Sequence, residues 1–594
     1  MLGPIFYREA AVQPRRSATY VARGTYVLTL FVLLCTGYLV LDGSRSLGGV
    51  GDSARFGGWI FSILAPLQFL VLTALAAVGA ASSVAQEKDR RTLLLLLMTR
   101  LSGTELVGGK LAATLLGPLA MLVAALPLFL ALPILGGVSP GQVLSVTAVT
   151  TVSVLLAAAV GTMMGLWREK TFQAIAMTVM TLLIYIAIGH ALGTLLRLPE
   201  WLRIGLSPLA ALASAASPLS SLLPDAAAGV SLFVILNAAL FLLVTIVSIR
   251  KVRHWNPSRD IRIKPVDPET GSDLAAAEAA GEATPTTWKV REPRPVWNNP
   301  ILWREVRTWA YGRKIVLIRV AFLMIFAIVA GIIVTQIQNG TAFEPGGRIG
   351  RALPAVTLPM ALLGVVSLVL VNALAVNSVT GERDGLALDL LLVTDLRPSE
   401  FIFGKLGGVF YVAKEMILLP IGLIIFLAAR DVMTWENAIY AVLGAFVLYV
   451  FVSMLGVHSG LNYVASRTAI LASLGTVFFL CVGIAVCMTI MVSFRGSFQY
   501  QLPPFLVMIL GGGAALFAAI GWRNPSSAVL MSSMMLPMVT FYAITQFILQ
   551  TDNLYVFVTL AFGYAFTTAA MMIPALSEFD VSLGRDRKAG GEGG

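Results

Sequence analysis

The residues of this chain best suited to chemistry come in two copies. The first reads Glu87-Lys88-Asp89-Arg90-Arg91-Thr92, runs through leucines to Thr99, carries a further acid at Glu105 and ends in Gly109-Lys110-Leu111. The second reads Glu382-Arg383-Asp384, runs through Leu390–Leu392 to Thr394, carries Glu400 and ends in Gly404-Lys405-Leu406. A Gly-Lys pair behind an apolar run suggests phosphate binding, but a phosphate cradle needs the spacing GxxxxGK[ST]. Here Leu follows each Lys, and Thr104 or Ser399 stands where the first glycine belongs, so both are decoys. The acids at a helix C-terminal end are disfavoured by the helix dipole. Glu87 and Glu382 therefore either meet a soluble partner or pair with a neighbouring Arg. Hydrolytic chemistry finds no support. The chain has no HExxH, and the adjacency of His458 and Ser459 is not triad geometry. Cys35, Cys481 and Cys487 lie in apolar segments without CxxC spacing and read as packing residues. No enzyme, no metal site and no cofactor is expected of this chain itself.

The elements that would position these residues are membrane spans. Mean hydropathy is +0.85, with 57% apolar and 12% charged residues, and many apolar runs reach the roughly 20 residues that cross a bilayer as a helix. Backbone groups in hydrocarbon must be satisfied within their own segment, which favours helices. Candidate spans in the first half are 26–41, 59–84, 106–133 (interrupted by Pro118 and Pro127), 143–166, 172–196 and 229–249, with a Ser/Pro/Ala-rich outer loop over 197–228. The second half offers 315–337, 353–379, 402–429, 437–461, 468–492, 502–521, 527–549 and 553–575. The short turns near Trp522 and Asp552 leave room for re-entrant or broken helices in the last three. The net charge of +11 invites a nucleic-acid reading, but most Lys and Arg fall on one side of this topology. That is the positive-inside bias, so nucleic acid is not an expected partner. Both termini then lie in the cytosol, and Arg8, Arg15, Arg16 and Arg23 precede an uncleaved first span.

Repetition extends beyond the loop. Pro4-Ile-Phe-Tyr-Arg-Glu9 matches Pro300-Ile-Leu-Trp-Arg-Glu305, with Arg23 and Arg319 following at the same offset, and Gly165-Leu166 and Ala174 match Gly460-Leu461 and Ala469. The expected fold is an all-α polytopic helical membrane protein of about 14 transmembrane helices in two tandem parallel repeats. Residues 1–255 form the first unit, 256–298 a flexible cytosolic linker of polar composition, and 299–594 the second unit. Pro300 to Tyr311 and Pro4 to Arg16 read as basic in-plane helices, bearing Arg304 and Glu305 in one and Arg8 and Glu9 in the other. Within the spans, Lys414-Glu415 is a candidate polar site or lies in headgroups. His190 and His458 read as packing histidines, and Asn372 and Asn377 as interhelical hydrogen-bond formers.

Taken together, the loop pattern between the second and third spans, the closing E-L-x-x-G-K-L and the NPILWRE-like opening resemble the permease subunits of ABC transporters of the second type (the ABC-2 superfamily). The resemblance covers nearly the whole chain as two fused permease units. It departs from the pattern at Arg91-Thr92 and Leu386-Ala387 for Gly-Thr, and at Thr99-Arg100 and Thr394-Asp395 for Thr-Pro. It implies an ATP-driven exporter in a prokaryotic cytoplasmic membrane, served by two separate ATPase subunits that bind the ATP and Mg. It also implies a coupling segment over Glu87–Thr104 and Glu382–Ser399. Glu87, Asp89, Arg90, Arg91, Thr92, Glu105, Glu382, Arg383, Asp384 and Glu400 would then carry the coupling. An ion-gradient-driven transporter using Lys414 and Glu415, or a membrane anchor for a soluble ATPase, are the alternative readings.

Overall fold

A computed structural model describes residues 3–12, 15, 17–44, 50–89, 92–168, 170–195, 198–217, 224–256, 297–307, 315–343, 354–385, 387–392, 396–493, 502–521, 526–548 and 552–577. The expected linker therefore lies outside the described residues. No strand occurs among them. The first unit contains α1 (Gly3–Val12), α2 (Ser17–Ser44), α3 (Val50–Asp89), α4 (Thr92–Met98), α5 (Gly103–Leu135), α6 (Pro140–Trp167), α7 (Thr171–Leu195), α8 (Glu200–Leu206), α9 (Pro208–Ala216) and α10 (Pro224–Trp255). The second contains α11 (Pro300–Arg307), α12 (Ile315–Gln338), α13 (Thr357–Asp384), α14 (Ala387–Leu392), α15 (Pro398–Val412), α16 (Lys414–Ala429), α17 (Trp435–Asn462), α18 (Ser466–Ser493), α19 (Leu502–Ile520), α20 (Ser527–Ile548) and α21 (Asn553–Ser577). Local chemistry starts these helices where polar residues meet apolar runs. Ser102 and Ser139 each close a capping box, with Glu105 and Gln142 respectively, which satisfies amide donors that a helix start leaves orphaned.

Twelve of these helices are long and apolar enough to cross a membrane, or thirteen when α15 and α16 are taken as one bent span. The chain is a multi-pass helical membrane protein. Three details differ from the sequence expectation. The turn expected near Trp522 lies outside the described residues, and among those described a break falls in α15–α16, bent by 61°. Prolines do not explain it, since α5 runs on through Pro118, Pro127 and Pro133. At the break the Arg319 guanidinium donates to the Val412 carbonyl at 2.9 Å, an intruding side chain of the kind that bends helices. The segment 197–228 is also not all loop, because it holds α8 and α9. Finally, α21 packs on α17 and α15 as α10 packs on α6 and α5. The sixth span of the second unit is therefore α21, and α19–α20 stand where the first unit has α8–α9.

Within each unit the closest helix pair rests on glycines. Gly161 and Gly165 of α6 lie against α3, and Gly456 and Gly460 of α17 against α13. A Cβ built at Gly161 would sit 2.4 Å from the Ala77 carbonyl oxygen, and one at Gly456 would sit 2.6 Å from Ala375 Cβ. Small residues four apart let backbones approach where the hydrophobic effect supplies no drive. The buried Asn372 links three helices, donating to the Val452 carbonyl at 2.8 Å and accepting from Ser473 Oγ at 2.9 Å. The units meet reciprocally. The fifth span of the first, α7, packs on α12 and α13, while the fifth of the second, α18, packs on α3 and shares a core with α2 through Ile490 and Met491 beside Leu30 and Leu33. Gly456→Ala should therefore cost about 1–3 kcal/mol from overpacking. Gly364→Ala, with open space around the new methyl, should be neutral or gain about 0.5–1 kcal/mol from helix propensity. Unfolding of the two variants in detergent checks the opposite signs.

Candidate coupling site

The duplicated loop begins in the last turns of α3 and α13, where three consecutive charged residues each take a different partner. The first reaches the following span. Glu87 pairs with Lys110 at 2.5 Å, and Glu382 with Lys405. The second reaches the C-terminal end of the fourth span. Lys88 donates to the carbonyls of Leu166 and, at 2.9 Å, Arg168. Arg383 donates to those of Tyr463, at 2.5 Å, and Leu461, at 3.2 Å. The third reaches the first residue of the fifth span, where Asp89 accepts from Thr171 Oγ1 and Asp384 from Ser466 Oγ at 2.5 Å. Electrostatics explains the order, since unpaired carbonyls make a helix C-terminus negative and unpaired amides make an N-terminus positive. A cation thus meets the end of α6 or α17, and an anion the start of α7 or α18. We call this arrangement the clasp.

The second clasp is deeper than the first. Lys405 is fully buried, with 0% exposure, and lies 2.6 Å from Glu305 as well as on Glu382. Arg304 pairs with Glu382 and stands 3.5 Å from Glu305. Two cations and two anions therefore balance, and they tie α11, α13 and α15 together. In the first unit Lys110 pairs with Glu87, while Glu9 turns to Arg8 at 2.6 Å near the surface. Between the clasps Arg467 donates to Gln86 Oε1 at 3.0 Å, a hydrogen bond across the two units.

The remaining candidate residues separate by place. Arg90 and Arg91 lie outside the described residues. Thr92 is exposed and donates to the Glu87 carbonyl at 3.2 Å, opening α4, whose Leu95 and Met98 are 64% and 73% exposed. Glu105 accepts from the Ser102 amide at 3.0 Å, and Glu400 from the Arg397 amide at 3.2 Å, so both acids are helix caps. Lys414 and Glu415 follow the break in the third span and open α16. Glu415 stands 3.5 Å from Arg319, and the Lys414 ammonium lies 5.0 Å from the Tyr411 ring centroid. His458 is buried and takes Ile520 and Asn462 as partners. The carboxylates of Glu87 and Glu382 thus point into the bundle. Lys110 and Lys405, set aside as failed phosphate loops, are their partners, and the repetition of Gly-Lys-Leu in both copies was the signal for them. Thr171 and Ser466 carried no signal, since their role depends on where the fifth span begins in space.

No protein-family model matches this chain, and no curated protein matches it. The number of apolar helices is that of a transport-type membrane protein. Removing one partner of a buried ion pair costs roughly 3–5 kcal/mol because the other charge stays uncompensated, so Lys405→Met should cost about that much. Lys110→Met should cost less, since Glu87 is 20% exposed and can rehydrate. Denaturant unfolding of both variants measures the difference, and equal losses would contradict the greater depth of the second clasp.

Proposed function

We propose that this chain is the membrane subunit of an ATP-driven transporter, two permease units fused in one chain and driven by separate ATPase subunits. One observation carries the reading. In each unit a charged triplet anchors the third, fourth and fifth spans immediately before a short segment that leads into the third span. In the first unit that segment exposes apolar side chains at Leu95 and Met98. Force applied to the segment would reach three spans at once through the clasp. The role of the acids changes accordingly: Glu87, Asp89, Glu382 and Asp384 transmit, with Lys88 and Arg383, while Thr92, Leu95, Met98 and the turn before Glu105 or Glu400 would face the partner. ATP and Mg would be bound by that partner, with the clasp end and both termini cytosolic in a prokaryotic membrane. The family resemblance points to export.

One feature favours a second reading. The bent third span of the second unit carries Lys414 and Glu415 at its break, and discontinuous helices bearing charges are ion sites in secondary transporters. The readings separate on purified full-length chain, in nanodiscs mixed with a candidate soluble P-loop ATPase for binding and in proteoliposomes for transport. Leu95→Asp with Met98→Asp should weaken ATPase association at least about tenfold, the 1.4 kcal/mol of one lost apolar contact, without changing thermal unfolding. Flux into proteoliposomes driven by an ion gradient without ATPase, and abolished by Glu415→Gln, would overturn the ATP-driven reading.

A further inference from the structure

Arg8, Glu9, Glu87 and Lys110 of the first unit stand at the positions of Arg304, Glu305, Glu382 and Lys405 in the second, yet the two sets are arranged differently. Glu305 is 1% exposed and bonds Lys405, whereas Glu9 is 31% exposed and pairs with the surface Arg8. The short helices nevertheless begin on the same footing. Ile5 and Ile301 are both buried. Gly3 lies against Glu105, just as Asn299 donates to the Glu400 carbonyl at 2.9 Å. The difference arises one turn later, on the third span. Three residues beyond Lys405 stands Gly408, and a Cβ built there would lie 2.6 Å from Glu305 Cβ and 2.8 Å from its Cγ. A Cβ at Gly407 would lie 2.8 Å from Leu302 Cδ1. Three residues beyond Lys110 stands Ala113, preceded by Ala112, and Ala113 is itself buried. The second unit therefore has a methyl-free groove that admits Glu305 to Lys405, and in the first unit alanines stand at the matching positions.

We propose that α11 is a strut locked to the third span by its buried ion pair and α1 an arm packed on α5 without that lock, and that the Cβ of Ala113, absent at Gly408, decides which is which. Motion entering the first unit can then shift α1 against α5, while α11 and α15 move as one body. The two fused units become mechanically unequal, and this holds whatever the chain transports. The test is backbone hydrogen exchange of the full chain in nanodiscs, followed by peptide mass, since exchange reports local opening. Gly408→Ala should speed exchange in 300–307 at least about tenfold, a 1.4 kcal/mol change in opening free energy, and leave 435–462 unchanged. Ala113→Gly should slow exchange in 3–12, and adding Glu9→Gln should remove that slowing. Ala113→Gly still decides the matter if Gly408→Ala does not fold, because it enlarges a groove and introduces no clash. Unchanged exchange in 3–12 after Ala113→Gly, or a slowing that survives Glu9→Gln, would overturn the proposal.

Discussion

Three consecutive charged side chains at the end of a membrane span cannot stay uncompensated where the next three spans crowd around them, because burying a bare charge costs several kcal/mol. Each finds a counter-charge that the fold supplies: a lysine on the third span, the carbonyl end of the fourth and the hydroxyl-bearing start of the fifth. The rest of each unit follows from that requirement. The lengths of the second span and of the loop after it set where the third span starts. The Gly161 and Gly456 contacts set how close the fourth span comes, and so whether its last carbonyls are within reach of Lys88 or Arg383. A loop that looked like a surface for a partner is first of all the joint that holds four spans together.

The two units use one plan with different local solutions. The second has a four-membered ion cluster, a broken third span and a helix pair, α19–α20, in place of two short helices. The reciprocal contact of α7 and α18 with the opposite unit survives these changes. Such an arrangement keeps the contact reciprocal while leaving the units free to differ in stiffness.

Much of the fold was legible because bilayer physics constrains sequence strongly. Apolar runs of fixed length mark helices, and each segment chosen as a span holds a helix, although 502–521 is not among those long and apolar enough to cross. The repeat was legible from matched offsets. Less legible was the sixth span of the second unit, since nothing in 502–521 marks it as part of an inserted pair; only packing against α17 identifies α21. The break at Ala413 was equally hidden, because the guanidinium that draws off the Val412 carbonyl comes from Arg319, on another helix.

By itself the sequence determined the type of elements, their duplication and the charged triplets at the loop, because hydropathy and repetition are properties of the chain in order. It overstated the spans at about 14, where twelve or thirteen helices among the described residues are long and apolar enough. Tertiary structure alone decided what those residues do. Glu87 and Glu382 turn inward, Lys110 and Lys405 become their partners, and Glu305 reaches Lys405 where Glu9 does not reach Lys110. The reason is that a charge acts over a few ångströms in space. Its neighbour at that distance is set by which helices pack together and by whether a glycine or an alanine stands between them.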